Sequence, residues 1–277
     1  MKYLILGSAG QIGEPLCGYL KSNGHEVITF DIVDSQKQDL RYQDTLQETI
    51  KDADIVIFLA FDVGGSRYLK KYQHTFDFIN NNARIMVNTF EVLKEHNKPF
   101  IFTSSQMSNM SYSPYGALKS IGEYYTNALG GLVVKFWNVY GPEKNHEKSH
   151  VITDFILKAI KNKKIDMLTD GTEERQFLHA TDCCRCLEIL SARYDQIDRE
   201  KQLHITSFEW NSIIEIANIV SDNISDVTVV PSIKKDDVQR DMINKPDKFI
   251  LSLWKPQISI EEGIKDMIKF YSEEISK

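Results

Sequence analysis

A glycine-rich turn near the start of the chain restricts the fold more than any other feature of the sequence. The apolar run Tyr3–Leu6 leads into Gly7-x-x-Gly10-x-x-Gly13, and a stretch with helical periodicity follows. In a strand–turn–helix unit, such glycines allow a tight turn, let backbone amides approach a pyrophosphate and let the helix pack closely on the strand. The N-terminus of the helix adds a dipole that favours the anion. The residues predicted to contact a bound dinucleotide at this turn are Gly7, Gly10, Gln11, Ile12 and Gly13.

An acidic residue follows the second apolar run, Glu26–Phe30. A carboxylate at Asp31 can accept hydrogen bonds from the adenosine ribose hydroxyls and would repel a 2′-phosphate, which favours NAD over NADP. The alternative is that Asp31 only starts a turn. Asp39 and Leu40 are predicted to contact the adenine edge. Further predicted contacts, where the third strand ends beside the cofactor, are Leu59, Ala60 and Phe61.

The first half of the chain alternates short apolar runs with longer amphipathic stretches. The runs predicted as strands are Tyr3–Leu6, Glu26–Phe30, Ile55–Leu59, Phe100–Thr103 and Leu132–Trp137. The stretches predicted as helices are Gln11–Asn23, Leu46–Lys51, Asn82–Glu95 and Tyr115–Ala128. Strands that alternate with helices form a parallel sheet with helices on both faces, and right-handed crossovers make a doubly wound sheet the economical topology. The predicted fold class is therefore α/β, with a doubly wound parallel Rossmann-type sheet.

The pattern changes after about residue 140, where a polar run is followed mainly by helical stretches. The helices predicted there are Val151–Lys163, Thr181–Tyr194, Trp210–Asp222 and Ile260–Glu274. We predict an NAD-binding domain over residues 1–140 that carries the catalytic residues. Residues 141–277 are predicted to form mainly a small C-terminal substrate-binding lobe, from which the chain can cross back to the sheet.

Composition and charge narrow the classes of partner. The net charge of −6 and the pI near 5.7 argue against a nucleic-acid or anionic-membrane surface. The sequence has no secretory leader pattern and no apolar stretch near the roughly 20 residues that span a bilayer, so we expect a cytoplasmic protein. Cys183-x-x-Cys186 lacks a second pair or a histidine cluster to complete a metal site. We interpret these cysteines as packing residues and expect no metal.

A tyrosine and a lysine four residues apart indicate proton chemistry. Tyr115 and Lys119 fall on one face of a predicted helix, and Ser105 ends the strand-like segment before it. An ammonium about 4 Å from the phenol, at an effective dielectric near 20, would favour the phenolate by roughly 4 kcal/mol. This would lower the pKa of Tyr115 toward neutrality and make it a general base for a sugar hydroxyl while hydride leaves the carbon. A Tyr–Lys pair at this spacing can occur by chance on the surface of a helix. Its combination with the glycine turn and Ser105 indicates a catalytic site.

With these motifs the chain resembles the extended short-chain dehydrogenases/reductases of the NAD-dependent epimerase/dehydratase type. The resemblance extends over nearly the whole chain. The segment 135–142, Lys-Phe-Trp-Asn-Val-Tyr-Gly-Pro, is similar to the family's Arg-x-x-Asn-Val-Tyr-Gly-Pro. The segment 175–182, Arg-Gln-Phe-Leu-His-Ala-Thr-Asp, is similar to Arg-x-Phe-x-His-Val-x-Asp. Asn82 resembles the start of the family's Asn-x-x-Gly-Thr, although Ile85 and Met86 replace the Gly-Thr.

The resemblance implies a role for each matching residue. Ser105 would hydrogen-bond the reacting hydroxyl, Tyr115 would move its proton, and Lys119 would also hold the nicotinamide ribose. Asn82 and Ser104 would add contacts to the cofactor. The residues implied in binding the nucleotide sugar are Gly64, Gly65, Ser105, Gln106, Asn138, Arg175 and Arg240, of which the two arginines and Asn138 would face the diphosphate. His179 is expected to pack at the lobe junction rather than to catalyse.

The residues after Ser105 narrow the reaction. Sugar dehydratases of the family carry an Asp-Glu pair there, and related decarboxylases a Glu, whereas this chain has Gln106 and Met107, which exchange no proton at neutral pH. Dehydration is therefore disfavoured, as is a double epimerisation that uses a Cys–His pair. What remains is removal of a hydride from the carbon that bears the sugar's 4-hydroxyl, either by a 4-epimerase or by a dehydrogenase. The loop 61–66 also resembles that of relatives acting on GDP-manno or heptose sugars, although it can equally be an ordinary turn.

Two further expectations concern partners. The helices Asn82–Glu95 and Tyr115–Ala128 carry more apolar residues than the sheet needs, among them Ile85, Met86, Phe90, Tyr124 and Tyr125. Relatives use the equivalent helices as a dimer interface, which implies a homodimer. The rival to the enzyme is an NAD-binding sensor or scaffold without catalysis, and the presence of Ser105, Tyr115 and Lys119 argues against it.

Overall fold

A parallel sheet of six strands forms the centre of the molecule. The structure is a computed structural model that describes residues 1–239 and 245–276. The strands of the sheet are β1 (Lys2–Leu6), β2 (Glu26–Phe30), β3 (Ile55–Phe58), β4 (Phe100–Ser105), β5 (Leu132–Phe136) and β10 (Leu203–Ile205). They lie in the order β2-β1-β3-β4-β5-β10, and every neighbouring pair is parallel. Both β3 and β4 are buried along their whole length, as the centre of a doubly wound sheet requires. The predicted α/β Rossmann-type class is confirmed.

Helices cover both faces of this sheet and build the lobe beside it. They are α1 (Gly13–Ser22), α2 (Ser66–Tyr72), α3 (Phe76–His96), α4 (Pro114–Ala128), α5 (Val151–Asn162), α6 (Ala180–Ala192), α7 (Ile213–Asp222) and α8 (Ile260–Ile275). The helix predicted over Leu46–Lys51 is wrong, because this part of the chain forms two short 3-10 turns: Gln43–Thr45, just before the stretch, and Thr49–Asp52, which overlaps its end. The helix α2 was not predicted, since its seven residues carry one buried side chain, Leu69, and so show no apolar period.

Three apolar clusters hold the layers together. One packs α1 and α6 against the first face of the sheet, and the second packs α3 and α4 against the other face. The third lies in the lobe between α5, α7 and α8. All four cysteines are free and buried, and Cys183, Cys184 and Cys186 pack with Cys17 in the first cluster. No helix in the described ranges is long and apolar enough to cross a bilayer.

The second half of the chain returns to the sheet in two places. The edge strand β10 pairs with β5, and α6 packs beside α1 on the sheet face. The remaining strands form two-stranded pairs outside the main sheet: β6 (Asn138–Tyr140) with β9 (Phe177–His179), β7 (Lys164–Asp166) with β12 (Thr228–Val230), and β8 (Glu174–Arg175) with β11 (Asn211–Ser212). The boundary predicted at residue 140 stays a prediction, and the main sheet contains or packs against elements from both sides of it.

The outer helices α3 and α4 divide their apolar residues between the core and solvent. Of the residues singled out as surplus, Met86 and Phe90 are fully buried, because they pack on the sheet. By contrast, Tyr124 and Tyr125 are exposed. The expected exposed apolar surface is therefore present. Besides Tyr124 and Tyr125, it is formed by residues that the sequence analysis did not name: Phe76, Ile79, Val87 and Ile121.

An aromatic cluster at Phe90 offers a direct test of this packing. The Phe90 ring lies 5.5 Å from those of Phe58 and Phe102 and stacks on Tyr125 at 5.0 Å. We expect Phe90→Ala to lower the free energy of unfolding by about 3–5 kcal/mol, because it leaves a cavity in a packed core. The control is Ile233→Ala, after β12, where the side chain is 97 % exposed. It should change stability by no more than about 0.5 kcal/mol in urea titration, and equal losses in the two variants would contradict the packing described.

Candidate active site

A cleft of about 1130 Å³ opens at the carboxyl ends of the parallel strands. The chain runs from β1 to β2 on one side and then crosses to β3 on the other, so the cleft lies at the switch point of the sheet, where doubly wound folds bind ligands. Most of the residues predicted from sequence line this one cleft: Gly7, Gly10, Gln11, Ile12, Gly13, Asp31, Asp39, Leu40, Leu59, Ala60, Phe61, Gly64, Gly65, Ser104, Ser105, Gln106, Tyr115, Lys119 and Asn138.

At two positions of the glycine turn, the backbone of another segment approaches so closely that no side chain would fit. Gly7 has a φ of +87°, and a Cβ there would lie 2.7 Å from the backbone nitrogen of Ala60. A Cβ on Gly13 would lie 2.1 Å from the carbonyl oxygen of Gly7. The start of α1 therefore rests directly on the turn, which places the N-terminus of this helix at the cleft.

Asp31 fixes the end of β2 to this turn. Its carboxylate accepts hydrogen bonds from the backbone nitrogens of Ala9, at 3.0 Å, and Val33, at 2.9 Å. The carboxylate still lines the cleft, beside the glycine turn, where a dinucleotide's adenosine ribose would lie. An open glycine turn, a helix N-terminus and an acidic group at this place fit NAD and disfavour a 2′-phosphate.

Asp39 has a different environment. The Arg41 guanidinium donates hydrogen bonds to both carboxylate oxygens, at 2.6 to 3.1 Å, and these bonds hold the pKa of Asp39 below its ordinary value. Both side chains line the cleft. The part of the cleft predicted to contact the adenine therefore contains an ion pair rather than a single carboxylate.

Ser105, Tyr115 and Lys119 meet at the wall formed by β4 and α4. Ser105 is the last residue of β4, and its Oγ accepts a hydrogen bond from the backbone nitrogen of Met107, at 3.1 Å. A Cβ on Gly116 would lie 2.2 Å from the carbonyl oxygen of Met107, so glycine lets α4 begin against the turn that follows β4. The Lys119 Nζ donates to the carbonyl of Thr103 at 2.7 Å.

Phe61 completes this wall. Its ring lies 3.8 Å from the Lys119 Nζ and 5.8 Å, edge to face, from the ring of Tyr115. The lysine is thus held between a carbonyl and an aromatic face, an arrangement that suits a cation.

The protonation states differ from the sequence-based expectation. Burial raises the pKa of Tyr115 to about 12, and the hydrogen bond with Ser105 opposes this only in part. Burial also lowers the pKa of Lys119 to about 7, while the charge of Glu123 opposes that shift. The expected lowering of the tyrosine pKa by the lysine is therefore wrong for this structure. The reason is that desolvation acts on both groups and the Nζ lies 5.9 Å from the phenol ring centroid.

Three predicted residues lie elsewhere. Asn82 is fully buried behind the cleft wall, where its amide donates to the carbonyl of Asp62 at 3.0 Å and its oxygen accepts from the Asp62 backbone nitrogen at 2.7 Å. It supports the loop after β3 rather than lining the cleft. Arg175 is paired with Asp236 and donates to the carbonyl of Glu174 at 2.7 Å, away from the cleft lining. Arg240 lies outside the described residues.

A loop from the lobe forms the outer wall of the cleft, and sequence reasoning missed it. We refer to residues 143–150 as the cleft loop; its members that line the cleft are Glu143, Lys144, Asn145, His146, Lys148 and His150. Ion pairs join it to the sheet domain on two sides: Lys144 with Glu14 of α1 at 2.6 Å, and Lys148 with Asp62 at 2.7 Å. The only sequence signal was a polar run after Pro142, which is typical of any surface loop.

The glycines of the loop after β3 explain how closely the cleft loop approaches. The backbone nitrogen of Gly65 donates to the carbonyl of Lys148 at 2.9 Å, and a Cβ on Gly65 would lie 2.3 Å from the carbonyl oxygen of Ser149. Gly64 and Gly65 line the cleft, but their small size is used for this packing between loops.

Gln106 reaches across to the C-terminal part of the chain. Its Nε2 donates to the Oε1 of Gln239 at 2.9 Å, and both side chains line the cleft. Met107 is buried in the core below. No carboxylate or imidazole therefore follows Ser105 directly.

The sheet, the glycine turn and the Ser–Tyr–Lys wall define a dinucleotide-binding protein of the Rossmann type with groups for proton transfer. A profile described as the NAD dependent epimerase/dehydratase family matches residues 3–206, and the chain belongs to this family. It is accordingly an NAD-dependent enzyme that acts on nucleotide sugars, as the sequence motifs implied.

Comparisons with individual proteins agree in fold and differ in reaction. The chain is 26 % identical over 320 residues to a UDP-glucuronate 4-epimerase of Thermodesulfobacterium geofontis, covering 99 % of this chain and 97 % of the relative. Among solved structures, it matches the epimerase Mth375 of Methanothermobacter thermautotrophicus with a TM-score of 0.87 at 21 % identity, over 99 % and 93 % of the two chains. A GDP-6-OMe-4-keto-L-xylo-heptose reductase from C. jejuni matches with a TM-score of 0.82 at 21 % identity, over 99 % and 98 %.

The glycine turn provides a paired test. We expect Gly13→Ala to lower the free energy of unfolding by about 1–3 kcal/mol, because the added methyl group overlaps the carbonyl of Gly7. It should also weaken NAD binding, measured by titration calorimetry, since α1 must move off the turn. Gly18→Ala in the same helix has nothing within 4 Å of the new Cβ. That control should stabilise by about 0.5–1 kcal/mol and leave NAD affinity unchanged; similar behaviour of both variants would refute the close contact.

Proposed function

We propose that the protein is an NAD-dependent 4-epimerase of a nucleoside-diphosphate sugar. The observation that carries the proposal is the single cleft that holds Ser105, Tyr115 and Lys119 beside the glycine turn, with Gln106 and Met107 in the next positions. Ser, Tyr and Lys suffice for oxidation and reduction at a hydroxyl-bearing carbon. An elimination or a second epimerisation would need a further acid and base at positions 106 and 107, which these side chains do not supply.

Each residue has a defined task in this proposal. When bound in the cleft, NAD would supply the hydride acceptor and the hydride donor for the sugar carbon. Ser105 holds the reacting oxygen, Tyr115 exchanges its proton, and Lys119 binds the nicotinamide ribose. Because burial alone keeps the phenol of Tyr115 protonated, a charged Lys119 is needed to make loss of that proton accessible.

The cleft loop favours an epimerase over a dehydrogenase. An epimerase restores NAD in every turnover and gains from keeping it, whereas a dehydrogenase must exchange or reoxidise it. The Lys144–Glu14 pair is well exposed and contributes little, but Lys148–Asp62 is partly buried and Tyr68 donates a second hydrogen bond to Asp62 at 2.7 Å. Burial would raise the pKa of Asp62, yet the bonds from Lys148 and Tyr68 hold it below its ordinary value, so this contact persists at neutral pH.

The nucleotide end of the substrate is proposed to lie toward the lobe. Asn138 lines the cleft there, next to the β8–β11 region that contains Arg175. For Arg175 to bind a diphosphate, its pairing with Asp236 must open or be shared. The GDP-heptose activity in the name of the C. jejuni structure accords with a GDP-linked manno or heptose sugar, and the T. geofontis relative accords with a UDP sugar.

A homodimer is proposed through the outer face of α3 and α4. The exposed apolar side chains of these helices are Phe76, Ile79, Val87, Ile121, Tyr124 and Tyr125. Aromatic and aliphatic side chains gathered on neighbouring helices are typical of a surface that a second chain covers.

Turnover of defined sugars tests the enzyme. We expect purified protein with NAD to convert one member of a panel of UDP- and GDP-sugars into its C4 stereoisomer, seen by product NMR without net growth of nicotinamide absorbance. Tyr115→Phe should reduce kcat by about 10³-fold with NAD affinity unchanged, because only the proton donor and acceptor is lost. Accumulation of NADH with a ketosugar would instead assign a dehydrogenase, and an inert wild-type protein that binds NAD would favour a sensor or scaffold.

The dimer has its own test. Tyr124→Glu places a charge on the proposed interface, where Tyr124 is 74 % exposed in the single chain. We expect sedimentation velocity to give a dimer for the wild type and a monomer for this variant. The control is Phe270→Glu, an exposed aromatic position on α8, which should remain dimeric; a wild-type monomer would refute the interface.

A further inference from the structure

An ion pair behind the catalytic wall, between the buried Lys135 and the partly buried Glu123, has no task in the reaction proposed above. The Glu123 carboxylate accepts a hydrogen bond from the Ser104 hydroxyl through one oxygen, and its other oxygen lies 3.1 Å from the Lys135 Nζ. Lys135 also donates to the Ser108 hydroxyl at 3.1 Å and is buried. Ser104 was predicted to contact NAD; it lines the cleft, but its hydroxyl is directed to Glu123.

The backbone brings these groups directly beneath Lys119. Ser104 and Lys135 are direct partners in the register of β4 and β5, and α4 packs over both strands. Glu123 lies four residues after Lys119 on α4, which places the two side chains on one face of the helix. The same two strands therefore support Lys119 through the carbonyl of Thr103 and hold Glu123 through Ser104 and Lys135.

An ion pair largely removed from water is an inefficient way to stabilise the fold. Taking two charges out of water costs several kcal/mol per ion, and well-packed apolar residues of similar size often stabilise a fold as well or better. A fixed charge next to a buried lysine, on the other hand, changes how readily that lysine holds its proton.

We infer that Glu123, fixed between Ser104 and Lys135, is a positioning residue that increases the charged fraction of Lys119 inside the cleft wall. The catalytic consequence rests on the proposed function, because it is the charged Lys119 that makes proton loss from Tyr115 accessible there. The electrostatic coupling itself does not depend on which sugar is bound.

The surroundings of Lys119 support the coupling. Its neighbours are Tyr115 and Glu123 from its own helix, the Thr103 carbonyl from β4, and the ring of Phe61 from the loop after β3. Burial lowers the pKa of Lys119 to about 7, and Glu123 is the charged group that raises it.

Lys135 and His204 complete the charged neighbourhood on the β5 side. Burial, together with the charge of Lys135, lowers the pKa of His204 on β10 to about 4, so this imidazole is neutral at physiological pH. Among the described residues, the charged groups of this neighbourhood are therefore Glu123, which acts on Lys119, and Lys135, which pairs with Glu123.

Opposite shifts from two variants test the inference. Protein labelled with [ε-13C]lysine is titrated by NMR, and the Lys119 resonance is assigned from its loss in Lys119→Met. We expect Glu123→Gln to lower the titration midpoint of Lys119 by about one pH unit or more, because an opposite charge is removed within one helical turn. Lys135→Met removes a like charge and should raise the midpoint.

The double variant Glu123→Gln with Lys135→Met is the matched control. It removes both charges together, so the Lys119 midpoint should return toward the wild-type value, and it avoids the unpaired buried charge that could unfold either single variant. Midpoints that stay within error of wild type in all folded variants, or that move in the same direction in both single variants, would overturn the inference.

Activity provides the second readout. With a substrate in hand, the alkaline limb of the kcat profile should move to lower pH in Glu123→Gln and to higher pH in Lys135→Met. A purely structural role would lower kcat without moving the limb. If no sugar is turned over but the NMR midpoints shift as described, the proposed function fails and the role of Glu123 stands.

Discussion

The contact between Gly13 and the carbonyl of Gly7 determines where everything else at the cleft can lie. Because α1 starts on the turn itself, its N-terminus lies at the cleft, and Asp31 can reach the same turn from the end of β2. The Cα of Gly7 also abuts the backbone of Ala60, which sets the end of β3 and the loop beyond it. That loop places Phe61 against Lys119 and Asp62 against the cleft loop. The positions of the catalytic wall and of the cleft loop therefore both depend on the close contact at Gly7.

Desolvation governs the chemistry of that wall. Tyr115 and Lys119 are neighbours, but burial disfavours the charged form of each, so both move toward neutrality and the simple two-charge estimate gives the wrong direction for the tyrosine. The groups that favour the charged form of Lys119 against burial are the Thr103 carbonyl, the ring of Phe61 and the carboxylate of Glu123. The site thus depends on fixed partners more than on the spacing of its two titratable residues.

The sequence was informative wherever the deciding interactions are local or periodic. Apolar runs placed five strands to within one or two residues, and the glycine turn placed α1 beside them, because both depend on short-range pattern. The strand β10 was missed since three residues carry no period, and the helix expected at Leu46–Lys51 gave way to 3-10 turns that only pack Leu46 and Ile50 under the sheet edge.

At the site, motif residues of the sheet domain line one cleft, whereas contacts made across the chain escaped prediction. Arg175 is paired with Asp236 and Asn82 with the backbone of Asp62, partners separated by 61 and 20 residues. The cleft loop likewise depends on Glu14 and Asp62, each far away in sequence. Each polar side chain has many possible partners along the chain, and the fold decides which of them it meets.

The return of β10 to the sheet has a consequence for dividing the molecule. A fragment that stopped at residue 140 would leave β5 as the outer strand, with Val134 and Phe136 no longer flanked by Leu203 and Ile205. Such a bare, flat, apolar strand offers its unpaired amides and carbonyls to any other chain, which makes it a template for aggregation. The edge strand β10 therefore protects the nucleotide-binding half from aggregation, so the two halves are a poor choice for separation or exchange between relatives.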